Sequence, residues 1–153
     1  MERKNAWKTY NASQLEELEQ INNRYKMCLD TGKTERECIR LAVKEIEKKG
    51  YKDLKDVKDG LKAGDKVYAV CMGKSIAMFQ IGKEPLENGM NILGAHIDSP
   101  RIDVKQNPLY ENEELAYLDT HYYGGIKKYQ WVTLPLALHG VIAKTDGTIQ
   151  EVN

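Results

Sequence analysis

Residues 90–100 read MNILGAHIDSP, an apolar run without polar alternation that breaks off at a histidine, one spacer, an aspartate and a Ser-Pro step. A strand with no polar face calls for cover on both sides, the condition of an inner strand in a sheet flanked by helices. That requirement points to an α/β fold. Pro100 has no N–H to give to a ladder, so pairing should stop there and leave the strand's carboxyl end open. In α/β sheets that edge is where ligands gather. Residues two apart in an extended segment point the same way, so His96 and Asp98 share one side while Ile97 faces the other.

The sequence before this run supplies helices and a hairpin. Ser13-Gln-Leu-Glu16 and Thr34-Glu-Arg-Glu37 both have the form of a capping box, in which a hydroxyl accepts from a free helical amide and a glutamate reaches back. Apolar residues at helical period follow each: Leu15, Leu18, Tyr25 and Leu29, then Ile39, Val43 and Ile46. An N-terminal helical hairpin is expected, its helices stopping near Gly32 and Gly50. The charged, glycine-punctuated segment 51–65 reads as a surface connection with at most one poor helical turn. Residues 66–72 and 75–81 read as paired strands about Gly73-Lys74, and 90–95 as a third strand. Beyond Pro100 the pattern is β-rich: 101–105, an acidic loop over 108–114, then strands over 115–123, 133–138, 141–144 and 148–152, with a turn at Asp146-Gly147. The fold class expected is therefore α/β, a helical hairpin and mixed sheet followed by a β-rich segment.

Charge and composition exclude several functions. Lys plus Arg number 23 and Asp plus Glu number 23, so no net field would recruit nucleic acid or an anionic membrane. No apolar stretch approaches the roughly 20 residues needed to span a bilayer, and the first ten residues lack the apolar core of a secretory signal, so the cytoplasm is the expected location. Cys28, Cys38 and Cys71 are odd in number and lack C-x-x-C spacing, which speaks against a disulfide framework or a cysteine zinc site.

The chemistry rests on His96 and Asp98. A neutral imidazole is a good zinc ligand, and a carboxylate that accepts its second N–H fixes tautomer and orientation. The same H-x-D spacing also describes a structural histidine bonded to an aspartate, and the spacing alone leaves both open. His121 precedes Gly124-Gly125 and could reach a site, although alternation places it equally well on a solvated face. Lys127 and Lys128 read as solvated, the cysteines of the helical pair as packing residues, and Tyr122, Tyr123, Tyr129 and Trp131 as a cluster for an interface or a core.

Taken together, GAHIDSPR at a strand end, the helical N-terminal part and the hairpin KVYAVCMGKSIAMFQIG resemble the M18 metallo-aminopeptidases, the aspartyl aminopeptidase family. The likeness continues through Tyr123-Gly124-Gly125, Trp131, Leu134-Pro135-Leu136 and Gly140-Val141-Ile142. It implies a cytosolic exopeptidase with two zinc ions, removing N-terminal residues, classically Asp or Glu, from peptides. It further implies His96 as a metal ligand and Asp98 as the catalytic aspartate, with the other ligands and the general base further downstream than this sequence runs. Residues 1–104 would be the N-terminal segment of the catalytic domain, and 105–153 the start of an inserted β-rich dimerisation domain in a homo-oligomer that reaches a dodecamer in the family. Residues 121–131 depart from the aspartyl-specific form and resemble a bacterial branch, and His139 stands where a small or apolar residue is usual. The isolated 153-residue chain is expected to be inactive. The alternative is a non-catalytic assembly or interaction module derived from the same family.

Overall fold

The computed structural model describes residues 3–153, which fall into two units, the first ending at Ile92 and the second running Leu93–Asn153. No helix among the described residues is long and apolar enough to cross a membrane.

In the first unit, α1 (Ala12–Thr31) and α2 (Glu35–Glu47) form the expected helical pair, linked by Arg24 and Glu45 at 3.6 Å. The first cap lies two residues earlier than Ser13. Asn11 Oδ1 accepts from the Gln14 amide at 2.9 Å while Gln14 Oε1 accepts from the Asn11 amide at 3.0 Å, because Asn caps as well as Ser and Gln14 holds the reciprocal position. The second capping box forms as expected, with Glu37 Oε2 accepting from the Thr34 amide at 2.7 Å. Between the helices Gly32 permits a close approach, since a Cβ there would stand 2.8 Å from Cys38 Sγ.

The sheet of this unit has order β1-β2-β3, with β1 (Lys52–Asp53) parallel to β2 (Lys66–Cys71) and β2 antiparallel to β3 (Ser75–Gln80). It is the expected mixed sheet. Strand β1 lies in the segment read as a connection, because a two-residue parallel strand has no periodicity to show. The β2–β3 turn centres on Met72 and Gly73, at φ 53° and 66°, one residue before the Gly73-Lys74 centre expected. Ile39, Val67 and Tyr68 form the buried hydrophobic core among the described residues. Tyr68 also ties sheet to helix, its hydroxyl donating to Glu47 Oε1 at 2.8 Å.

Residues 90–95 are not a strand. They carry no ladder, and Ile92 and Leu93 are 83% and 100% exposed, because an inner strand exists only where neighbouring strands and covering helices meet it.

In the second unit, β4 (Arg101–Asn112) pairs antiparallel with β5 (Leu115–Tyr123). The acidic loop expected over 108–114 contracts to a two-residue turn, with Glu113 and Glu114 both left-handed at φ 52° and 64°. The ladder continues through residues 109–112 because register with β5 overrides their polarity. Register shifts between Val104 and Leu109, where Pro108 has no amide to donate. After the short α3 (Lys128–Trp131) come β6 (Gly140–Ala143) and β7 (Ile149–Val152), a hairpin as expected. Its turn is closed by Asp146 Oδ1, which accepts from the Thr148 amide at 2.9 Å and its hydroxyl at 2.6 Å. Residues 133–138 are irregular instead of a strand, and Leu134, Leu136 and Leu138 are each more than half exposed, with no ladder to hold them extended.

Two variants test these local arguments. Glu113→Asn with Glu114→Gly should stabilise the β4–β5 hairpin by about 1 kcal/mol, read as slower amide exchange along the ladder, because left-handed turn positions favour Asn-Gly. Tyr68→Phe should lower stability by about 1 kcal/mol in thermal denaturation. The hydrogen bond to Glu47 and burial push the Tyr68 phenol from 10 up to about 12, so its contribution is complete below pH 10 and lost as pH rises toward 12. The gap between wild type and Phe variant should close over that window; a constant gap would refute the assignment.

Candidate functional site

The H-x-D motif lies in the second unit, just before β4 begins at Arg101. His96 Nδ1 is 3.0 Å from the Asp98 carbonyl oxygen and 3.2 Å from Asp98 Oδ1. Both partners are acceptors, so Nδ1 carries the hydrogen and donates, and in the neutral imidazole the lone pair is then on Nε2. The imidazole is 85% exposed, so that nitrogen is open to a ligand.

The other oxygen of Asp98 is held from β5. Tyr123 donates its hydroxyl to Asp98 Oδ2 at 2.6 Å. That hydrogen bond first, then the backbone amide of Asp98 and the contact with His96, hold the carboxyl below the usual carboxylate range, so it is an anion at neutral pH. Tyr123 is itself placed by the ladder, directly opposite Arg101, whose guanidinium carbon stands 4.3 Å from the centre of the Tyr123 ring. Arg101 Nε in turn donates to Asp103 Oδ1 at 2.7 Å. Next in sequence, Gly124 adopts φ +72°, and a Cβ there would lie 3.4 Å from three atoms of Pro100. The end of β5 thus closes against the bend that follows Asp98.

His96 and Asp98 therefore come together as the spacing suggested. His121 does not join them, since it lies opposite Asp103 in the ladder with its Nδ1 3.5 Å from the Tyr122 carbonyl oxygen. Tyr122 carries Lys128 over its ring at 4.0 Å, which gives that lysine a contact the sequence did not suggest. The residue that sequence reasoning missed is Tyr123, read there as one of an aromatic cluster. Its position at the strand end before Gly-Gly was visible, but its register against Arg101 was not.

The family model described as aminopeptidase I zinc metalloprotease (M18) matches residues 28–153. The chain belongs to the M18 peptidase family. It is 59% identical over 154 residues to a probable M18 family aminopeptidase 1 of Clostridium acetobutylicum, covering 99% of this chain and 33% of that relative. Among solved structures, aminopeptidase I of Borrelia burgdorferi superposes with a TM-score of 0.92 at 39% identity, over 98% of this chain and 37% of that one. The M18 aminopeptidase of Thermotoga maritima superposes with a TM-score of 0.90 at 43% identity, over 99% of this chain and 33% of that one. The chain thus spans about a third of the length of the M18 relatives it matches.

The M18 family model carries zinc in its description, and His96 fits one place in such a centre: Nδ1 anchored, Nε2 exposed. Among the described residues no cluster of three or more His, Cys, Asp and Glu could hold a metal. A single imidazole falls short of the three protein ligands that a catalytic zinc centre needs.

If the bend is closed by Gly124, Gly124→Ala should destabilise the second unit by about 1 kcal/mol, from the left-handed φ and the Pro100 contact, measured by thermal denaturation. Gly125→Ala, where an added Cβ meets open space, should leave it unchanged.

Proposed function

We propose that this chain forms the N-terminal part of a zinc-dependent M18 aminopeptidase that removes N-terminal residues from peptides in the cytoplasm. The observation that carries the reading is the His96–Asp98 pair, with Nδ1 bonded to the carboxylate and Nε2 open. His96 would bind one zinc of a two-ion centre through Nε2, and Asp98 would fix its tautomer and ring plane. The chemistry that bound zinc supplies is a lowered pKa for an attached water and polarisation of the scissile carbonyl. The remaining ligands and the general base would come from the part of the protein matched by the other two thirds of the relatives. By itself the 153-residue chain would be inactive, since one histidine cannot hold a catalytic metal.

Residues 1–104 would belong to the catalytic domain and 105–153 would open the dimerisation domain of a homo-oligomer. In the second of these parts, Leu109, Leu115 and Leu118 are exposed apolar residues suited to an interface. The exposed run 90–95 supports the incomplete sheet in the same way. Exposed apolar residues in the β-rich part would equally serve an assembly module without catalysis, so the decisive measurement is chemical.

The full-length protein should contain zinc and hydrolyse Leu- or Asp-anilides. His96→Ala should lower zinc content and cut hydrolysis by roughly 100-fold or more. Unchanged zinc per chain in His96→Ala would end the aminopeptidase reading of this site, and zinc-free protein without hydrolysis would leave the assembly module standing.

A further inference from the structure

Asp98 contacts His96 through one carboxylate oxygen and Tyr123 through the other. A carboxylate on a short side chain can rotate about its Cβ–Cγ bond, and a broad torsion of this kind has no strong intrinsic preference. With a single partner it would swing, and the Nδ1–H of His96 would keep the Asp98 carbonyl oxygen at 3.0 Å but lose the charged acceptor at 3.2 Å. The second hydrogen bond removes that freedom. At 2.6 Å it is a short hydroxyl-to-carboxylate contact, the charge-assisted class of hydrogen bond.

Tyr123 is exposed, yet it is held from several sides. Its backbone is fixed opposite Arg101 in the β4–β5 ladder, its ring lies 4.3 Å from the Arg101 guanidinium carbon, and Arg101 is steered by Asp103 at 2.7 Å. Gly124, left-handed and close to Pro100, lets the chain turn away immediately after it. A side chain at this position in an alternating strand need not have been a tyrosine for the hairpin to form, since the ladder uses its backbone alone.

We propose that Tyr123 is a positioning residue for the metal site: its hydroxyl fixes the Asp98 carboxylate, and through it the ring plane and basicity with which His96 presents Nε2. This inference rests on the reading of His96 as a zinc ligand. It assigns a role in the catalytic centre to the β5 strand, which lies beyond the boundary proposed for the catalytic domain. The strand end therefore couples the two proposed domains through one hydroxyl.

The test uses the full-length protein and reads zinc release to a chelator alongside steady-state hydrolysis. Tyr123→Phe keeps the ring over Arg101 and removes only the donor. It should release zinc roughly 10–100-fold faster and lower kcat by a similar factor with KM little changed. Tyr117→Phe, on the same strand but stacked on Tyr110 at 5.3 Å, should match wild type in both readouts. If Tyr123→Phe lowers only the melting temperature while zinc release and kcat stay at wild-type values, the role is structural and the proposal is overturned. Should the Phe variant fail to fold, a ring-fluorinated tyrosine at 123, a stronger donor, gives the second readout: slower zinc release supports the proposal and an unchanged rate overturns it. His96→Ala in the same assay separates the two failures. If that variant loses zinc but Tyr123→Phe behaves as wild type, only the role of Tyr123 falls; if His96→Ala keeps its zinc, the site reading falls with it.

Discussion

The carboxylate of Asp98 is where the geometry of the second unit converges. One oxygen faces the imidazole two residues earlier, a contact that local extended geometry provides. The other faces Tyr123, 25 residues away, and that contact exists only because the β4–β5 ladder brings Tyr123 opposite Arg101. A hairpin is the cheapest way to bring such distant residues together, since each ladder bond fixes both strands at once. The guanidinium over the tyrosine ring and the left-handed Gly124 beside Pro100 then close the bend on which the motif sits.

The same hairpin shows how pairing and composition compete. Residues 108–114 look like a loop by their Pro and acidic content, yet residues 109–112 pair in the ladder because β5 offers them a continuous edge. Pro108 is tolerated at the register break, where no amide is required of it. The turn beyond uses two glutamates in left-handed conformations, a choice that the sequence gives no reason to expect. In the first unit the balance is different, for the helices are specified locally by reciprocal caps and are joined to the sheet by the buried Tyr68 and its bond to Glu47.

Residues 90–95 mark the limit of local reasoning in the other direction. Their apolar character is a statement about surroundings: cover on both faces and strands on both sides. Among the described residues no strand pairs with them, and they remain exposed. The same holds for the leucines of 133–138. Apolar patterning records what a segment needs and not whether the need is met within a given length of chain, and the M18 relatives are about three times as long.

By itself the sequence determined what depends on near neighbours. The Thr34–Glu37 capping box, the helical pair, the β2–β3 and β6–β7 hairpins and the H-x-D pair all follow from residues a few positions apart, whose geometry the backbone imposes. The family likeness was legible too, because it lies in the order of short motifs. Only tertiary structure decided the parallel strand β1, the register that carries β4 through its acidic stretch, and the place of Tyr123. Each of these is a pairing between residues distant in sequence, fixed by backbone hydrogen bonds that no local preference encodes. That is why the H-x-D pair is legible in the sequence, while the Tyr123 hydroxyl that donates to its aspartate becomes visible only when the second strand is laid against the first.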